Sequence, residues 1–220
     1  MDEPLEEESP IPPPTPLKVM VCSAVYGNEN LLDQVFAVLR GYGYEVWMSH
    51  KGTLPLLPGR HNFESCLAAV SACDVVLALV TGSYGSGKMP GEPSITHQEV
   101  RRAIQENKPR FFLVHHHITI ARQLLQQFRF DEAGARRAIT WKRTAILDDL
   151  RVLDMLDEAL QMGVPFERRT DHWTQDYTTP DDVLRFLHTQ FRDPQRLRAL
   201  LQNDPSIHQH QEEKNPNDSF

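Results

Sequence analysis

The chain has 220 residues and a formal net charge of −7, with 40% hydrophobic and 24% charged residues. This balance is typical of a globular protein and excludes a wholly disordered chain, while the negative charge argues against a broad nucleic-acid-binding face. Every apolar run is shorter than the roughly 20 residues that a membrane helix needs, so we expect no membrane span. Because of the negative charge, we also expect no direct nucleic-acid partner.

Both ends of the chain are predicted to be disordered, at residues 1–16 and 203–220. The leader is acidic and proline-rich, and it has neither the positively charged nor the apolar region of a secretion signal. Three cysteines lie in apolar contexts without metal-ligand or disulfide spacing: Cys22, Cys66 and Cys73. Reduced cysteines predict a cytoplasmic protein. Between the two ends, one domain is predicted at 17–202.

Strand-like and helix-like segments alternate through the first half of that domain. Short apolar runs predict strands at 18–25, 44–49, 74–81 and 110–116. Helical spacing of apolar residues predicts helices at 28–43, 62–73 and 97–108. Three strand–helix units followed by a fourth strand indicate an α/β protein with a parallel sheet covered by helices on both faces.

The second half reads as more helical. A helical extension is predicted at 118–160, as two helices separated near Gly134, and the break at 163–177 leaves room for a short fifth strand. Thr179 precedes Pro180 and two acidic residues, which predicts the capped start of a further helix. More helical turns follow around "DPQRLRALL".

The loop after the third strand opens with "GSYGSGK" (82–88), which satisfies the phosphate-loop pattern. A working phosphate loop passes directly into a helix and places Ser or Thr after its lysine, where the hydroxyl holds magnesium. Here Lys88 is followed by Met89, Pro90 and Gly91, a turn sequence that delays the helix. We therefore interpret the match as accidental, and the glycine-rich loop as either a ligand-contacting segment or a plain surface connection.

Several motifs together resemble the TIR-like domains of uncharacterised function found in front of NACHT-type ATPases and in bacterial anti-phage systems. The matching residues are Ser23, Asp74, Tyr84-Gly85, Ser94-x-Thr96-x-x-Glu99 and Lys108-Pro109. The resemblance covers about residues 17 to 115 and departs from the pattern at the first strand, which reads Cys22-Ser23-Ala24. It implies a flavodoxin-like three-layer sandwich with a four- to five-stranded parallel sheet and C-terminal helices, related to TIR domains and nucleoside deoxyribosyltransferases.

The resemblance implies that Glu99 is catalytic. In the related enzymes a glutamate at this helix start acts on a glycosidic carbon, cleaving or cyclising NAD or exchanging a nucleoside base. A carboxylate can stabilise or trap the oxocarbenium-like sugar that forms when such a bond breaks. The structural alternative is a capping box, with Thr96 as N-cap and Glu99 three residues on.

Other residues are candidates for substrate binding: Ser23, Tyr26, Tyr84, Gly85, Ser94 and His97. NAD or a derivative would be the substrate, with no separate cofactor. The histidine run 115–117 is not expected to hold a metal, because no further ligand follows at suitable spacing. The expected partners are a nucleotide and either further copies of this chain or a separately encoded defence protein. A nucleotide-sensing or assembly module without turnover, and base exchange on nucleosides, remain the alternatives.

Overall fold

The computed structural model describes residues 15–55, 57–59, 61–87, 91–170 and 172–202. Five parallel strands form one sheet in the order β2-β1-β3-β4-β5. The strands are β1 (Lys18–Ser23), β2 (Glu45–Trp47), β3 (Val75–Val80), β4 (Arg110–His115) and β5 (His172–Tyr177). The predicted parallel sheet is confirmed, and β5 forms in the break where the sequence left room for it.

Seven α-helices are described around this sheet. They are α1 (Glu29–Gly41), α2 (Asn62–Ala72), α3 (Ile95–Gln105), α4 (His116–Arg129), α5 (Arg151–Ala159), α6 (Pro180–Phe191) and α7 (Pro194–Gln202). Along β3, alternate residues enter opposite hydrophobic cores. One core includes α2, α3, α4 and α5, and the other includes α1, α6 and α7, which gives three layers. The predicted α/β sandwich with C-terminal helices is therefore confirmed.

The helical extension differs from its prediction in the length of its break. Two helices do form, but residues 130–150 between α4 and α5 contain only an isolated bridge between Phe130 and Arg136 and no regular helix or strand. This segment makes specific contacts instead, since the backbone N–H of Asp148 donates to the carbonyl of Gly82 at 2.9 Å. It therefore lies against the carboxyl edge of the sheet, beside the loop that follows β3.

Most of both predicted disordered ends, 1–14 and 203–220, lies outside the described residues. Within the described part, no helix combines the length and apolar character needed to cross a bilayer. All three cysteines are free and buried, as their apolar contexts predicted.

Strand order places a topological switch point between β1 and β3. From β1 the chain passes over α1 to β2 on one side, and it then returns over α2 on the opposite face to β3 on the other side. In open α/β sheets of this kind, ligands bind outside the carboxyl ends of the strands at the switch point. The loops after Ser23 and Val80 are therefore where a site is expected.

Candidate active site at the carboxyl edge of the sheet

A cavity of about 700 Å³ opens at this edge, and we call it the switch-point crevice. Its walls come from the loops after β1 and β3, the β4–α4 junction and residues 143–148. Asn28 joins two of these walls, because its side-chain amide donates to Ala24 O at 3.0 Å and to Thr81 Oγ1 at 3.3 Å. The volume falls within the roughly 300–1,000 Å³ that is typical of small-molecule pockets.

Two histidines of the 115–117 run line the crevice. The rings of His115 and His117 lie 4.6 Å apart, and His115 Nδ1 accepts a hydrogen bond from the backbone N–H of His117. Burial, followed by the charges of His117 and His116, lowers the pKa of His115. Among the described residues, no group of three or more His, Cys, Asp or Glu side chains is arranged to hold a metal ion. This arrangement is suited to neutral hydrogen bonding at the crevice wall.

The structure explains why a glycine stands at position 82, the first residue of the apparent phosphate loop. A Cβ built there would lie 1.8 Å from the backbone oxygen of Ile146, so only glycine allows residues 143–148 to approach the loop. Asp148 secures the contact, because its carboxylate accepts from the backbone N–H of Tyr84 at 2.9 Å. The next helix, α3, begins only at Ile95. The glycine therefore serves a close backbone approach between the loop after β3 and residues 143–148.

Replacing Gly82 with alanine is expected to destabilise the fold by about 2 kcal/mol, the usual range for forcing an extra methyl group into a closed space. Gly163→Ala is the control, because a Cβ at Gly163 meets no atom within 4 Å. Urea unfolding of both variants measures the difference. Equal midpoints for the two variants would contradict the close approach of Ile146.

The start of α3 overturns the capping-box interpretation of Glu99. Ser94 is the N-cap, and its Oγ accepts from the backbone N–H of His97 at 3.2 Å. Thr96 lies inside the helix. Glu99 is five residues beyond the cap, too far along the helix for its carboxylate to accept a hydrogen bond from the backbone N–H of the cap. The prediction that Thr96 and Glu99 form a capping box is wrong because the helix begins two residues earlier than expected.

Glu99 is instead buried between the sheet and the helix layer, with 3% of its surface exposed. Its hydrogen-bond donors are the thiols of Cys22 on β1 and Cys66 on α2. Burial raises the pKa of Glu99 to about 7, and the two thiol hydrogen bonds only partly oppose this shift. Within the described ranges, the carboxylate forms no ion pair with Lys, Arg or His. A buried carboxyl group whose hydrogen bonds come from thiols is costly to ionise.

This environment predicts a pH-dependent stability. The carboxyl group has a pKa near 4.5 in the unfolded chain and about 7 in the fold, so between these values only the folded state retains the proton. Stability is therefore highest below about pH 4.5 and is lost as the pH rises through about 7, by about 3 kcal/mol in total. Glu99→Gln should remove this loss, so it should gain about 3 kcal/mol on wild type between pH 4.5 and pH 8.

Urea unfolding of both proteins at several pH values measures that difference. Titrations elsewhere in the fold are common to both proteins and cancel in the comparison. A stability difference that does not change with pH would contradict an uncompensated buried carboxyl group.

Three of the residues predicted to bind substrate form a buried cluster at the start of α3. The Tyr84 hydroxyl lies 2.7 Å from His97 Nδ1, and the Arg151 guanidinium lies 4.5 Å from the centre of the Tyr84 ring. On its other side, His97 Nε2 is 3.1 Å from a Glu158 oxygen. Burial lowers the pKa of His97, against the opposing charge of Glu158. Ser94 is fully buried as the helix cap. In this conformation these side chains contact each other instead of an open cavity.

The other three candidates lie closer to solvent. Tyr26 is 78% exposed and lines the switch-point crevice. Ser23 is half-buried at the end of β1, where its hydroxyl donates to the adjacent Ala24 carbonyl at 3.1 Å. Gly85 has a φ of +79°, and a Cβ built there would lie 3.6 Å from Ala24 Cβ and 3.8 Å from Ser94 Cβ. The Gly85 backbone therefore passes between the end of β1 and the cap of α3.

Comparison with known proteins identifies the family. Residues 18–151, more than half of the chain, match the model of a domain of unknown function, DUF4062. The chain belongs to this family. A search of curated proteins finds no match. A solved structure of the Clostridium botulinum CMP N-glycosidase BcmB is similar over 78% of this chain and 98% of that one, with 16% sequence identity and a TM-score of 0.40.

Part of the crevice of this DUF4062 domain was beyond sequence reasoning. Arg143 and Asp148 line it from the irregular segment between α4 and α5, which carries no strand or helix signal that would place it at this edge. His115 could have been found, because it ends a strand whose carboxyl end faces the expected site. The run of three histidines that contains it is a pattern more typical of metal binding than of a substrate pocket.

Proposed function

We propose that this DUF4062 domain is a nucleotide-processing enzyme that cleaves an N-glycosidic bond, with NAD as the substrate class and Glu99 as the catalytic carboxylate. The observation that carries the proposal is the environment of Glu99: a buried carboxyl group near the end of β1, with a pKa raised to about 7 and hydrogen bonds from the thiols of Cys22 and Cys66. Such a group weakens the fold once it ionises, and strongly shifted carboxyl groups concentrate where chemistry occurs.

The proposed reaction begins with the ligand in the switch-point crevice. The bond between the ribose C1′ and the nicotinamide nitrogen breaks, and its electron pair leaves with nicotinamide, which departs neutral and needs no acid. Ionised Glu99 stabilises the oxocarbenium-like sugar or bonds to C1′. Water then adds to C1′ and releases its proton, while a ribose hydroxyl or an adenine nitrogen adding there instead would give a cyclic product.

Access to Glu99 sets a condition on this mechanism. The carboxyl group is only 3% exposed, so a substrate cannot reach it in this conformation. The proposal therefore requires the glycine-rich loop after β3, which includes Gly85, to move when substrate binds. A glycine with positive φ and a solvent-exposed position is suited to such a change.

The resemblance to anti-phage TIR-like domains supports a role in which the product is a signal or NAD is depleted.

The test is a substrate panel analysed by chromatography. Wild-type protein is incubated with NAD, CMP and deoxynucleosides, at several protein concentrations, beside Glu99→Gln. Release of nicotinamide by wild type alone supports the proposal, whereas release of cytosine or base exchange would place the activity on a nucleotide or nucleoside instead. Consumption of no compound at any concentration, or equal consumption by both proteins, would contradict a catalytic Glu99.

A second candidate function is self-assembly, and the outer face of α4 favours it. Ile120, Leu124 and Phe128 are exposed by 40%, 64% and 56%, and their spacing of four residues makes one continuous apolar stripe. The exposed residues of α4 carry no formal charge at neutral pH. A second copy is therefore the occupant that fits. Although the chain has a net charge of −7, two of these uncharged helix faces can pair antiparallel without repelling each other.

In that pairing Leu124 would lie at the two-fold axis, with Ile120 of each copy against Phe128 of the other. Leu124→Glu is expected to weaken self-association at least about tenfold, because it places two like charges in an apolar contact. Gln123→Glu adds the same charge to the adjacent exposed position and is the control. Light scattering across a concentration series measures the effect, and a wild-type chain that stays monomeric throughout would overturn this candidate.

A further inference from the structure

A second cavity, distinct from the crevice, lies on the other side of residues 148–151. It has a volume of about 410 Å³, and we call it the arginine cavity, because Arg129, Arg136, Arg137 and Arg151 line it. Two aspartates, Asp148 and Asp149, share the lining. Arg151 pairs with Asp149 at 2.6 Å, and Arg129 and Arg136 pair with Asp154, so much of this positive charge is neutralised within the fold.

The arginines differ in how fully their hydrogen-bond donors are used. Arg129 is 1% exposed and pairs through one terminal nitrogen with Asp154 and Asp157, while its buried Nε has no hydrogen-bond partner in the described structure. Arg136 pairs with Asp154. The side chain of Arg137 forms no ion pair with any residue that the structure describes. Arg137, which is exposed, therefore has guanidinium donors available to a ligand in the cavity.

The remaining wall is apolar and includes an indole. Trp141 lines the cavity next to Ile139 and Leu150, and its ring N–H donates to the Leu147 carbonyl at 3.2 Å. This hydrogen bond holds the ring in place without using its faces. Guanidinium groups beside an aromatic ring are the combination that recognises a phosphate joined to a planar base.

We propose that the arginine cavity is a binding site for a phosphorylated ligand with a planar ring, of the nucleoside monophosphate class. Arg137 and Arg129 would donate to the phosphate, and Trp141 would contact the ring. The site is separate from Glu99 and the switch-point crevice, so it serves either a regulatory nucleotide or a product, and it does not depend on the proposed cleavage reaction.

Calorimetric titration of the full chain with AMP, ribose 5-phosphate and adenosine tests the site. AMP is expected to bind more tightly than ribose 5-phosphate, and adenosine to give no signal at the same concentrations, because the phosphate supplies the charge-assisted contacts. Arg137→Gln should weaken AMP binding about tenfold, the loss of one such contact, and raised salt should weaken it further.

Arg143→Gln is the matched control, because Arg143 lines the switch-point crevice and not the arginine cavity. Its AMP affinity should stay within about twofold of wild type, well under the tenfold step of one charged contact. Loss of binding in Arg143→Gln with retention in Arg137→Gln would place AMP in the crevice and overturn the inference, as would the absence of AMP binding. Equal binding of AMP and ribose 5-phosphate would overturn the role of Trp141. Glu99→Gln should bind AMP normally, which separates failure here from failure of the proposed catalysis.

Discussion

Glu99→Gln is expected to reduce N-glycosidic cleavage by at least about 100-fold, since a neutral amide can neither stabilise a cationic sugar nor bond to it. Glutamine has nearly the same shape as glutamate, so the fold should be retained. The loss should appear in kcat more than in KM, because the carboxylate acts on a charge that develops only in the transition state. Chromatographic assay of nicotinamide release measures both constants.

Glu106→Gln is the control for this substitution. Glu106 caps the far end of the same helix and pairs with Arg102 at 3.2 Å, well away from the carboxyl edge of the sheet. It should keep wild-type turnover within about a factor of two, since surface pairs of this kind are worth under about 1 kcal/mol. Retention of activity in Glu99→Gln would remove Glu99 from the mechanism.

Arg129→Ala is expected to produce the largest loss of stability, about 3 kcal/mol. One terminal nitrogen of Arg129 lies 2.6 Å from both an Asp154 and an Asp157 oxygen, and the side chain is almost fully buried. Its removal leaves two carboxylates close together, although Arg136 and Arg122 still pair with them. The remaining pairs place the cost at the lower end of the range for breaking a buried ion pair.

The comparison variant is Arg136→Ala, which removes another partner of Asp154. Arg136 has 49% of its side chain exposed, so its loss should cost under about 1 kcal/mol. Urea unfolding at pH 7 measures both variants. If the two substitutions cost the same, the burial of Arg129 would not be what makes its ion pairs important.

Much of the sheet could be predicted because its strands carry local signals. All six residues of β3 are buried, which is why its sequence is an unbroken apolar run. The start of α6 could also be predicted, since Thr179 is the cap and Pro180 lies in the first turn, and Asp182 completes a capping box that was not predicted. These features depend on residues that are close in sequence, so hydrophobic periodicity and capping rules can predict them.

The environment of Glu99 could not be predicted, because it depends on contacts between distant segments. Cys22 and Cys66 each looked like a small core residue, and only the packing of α2 and α3 on β1 brings both thiols to the carboxyl group. The same applies to Gly82, whose requirement for glycine comes from Ile146, 64 residues later. The resemblance implied a catalytic Glu99, and the competing capping role could be excluded only once Ser94 was seen to be the cap.

The central claim is that Glu99 is a functional carboxylate that the fold tolerates at a cost. Its most direct test measures unfolding free energy and NAD cleavage on the same preparations of wild type and Glu99→Gln at pH 8. We predict that the variant is more stable than wild type, by up to about 3 kcal/mol, and has lost cleavage activity. A variant that is less stable than wild type and still cleaves NAD would contradict the claim and make Glu99 a structural residue.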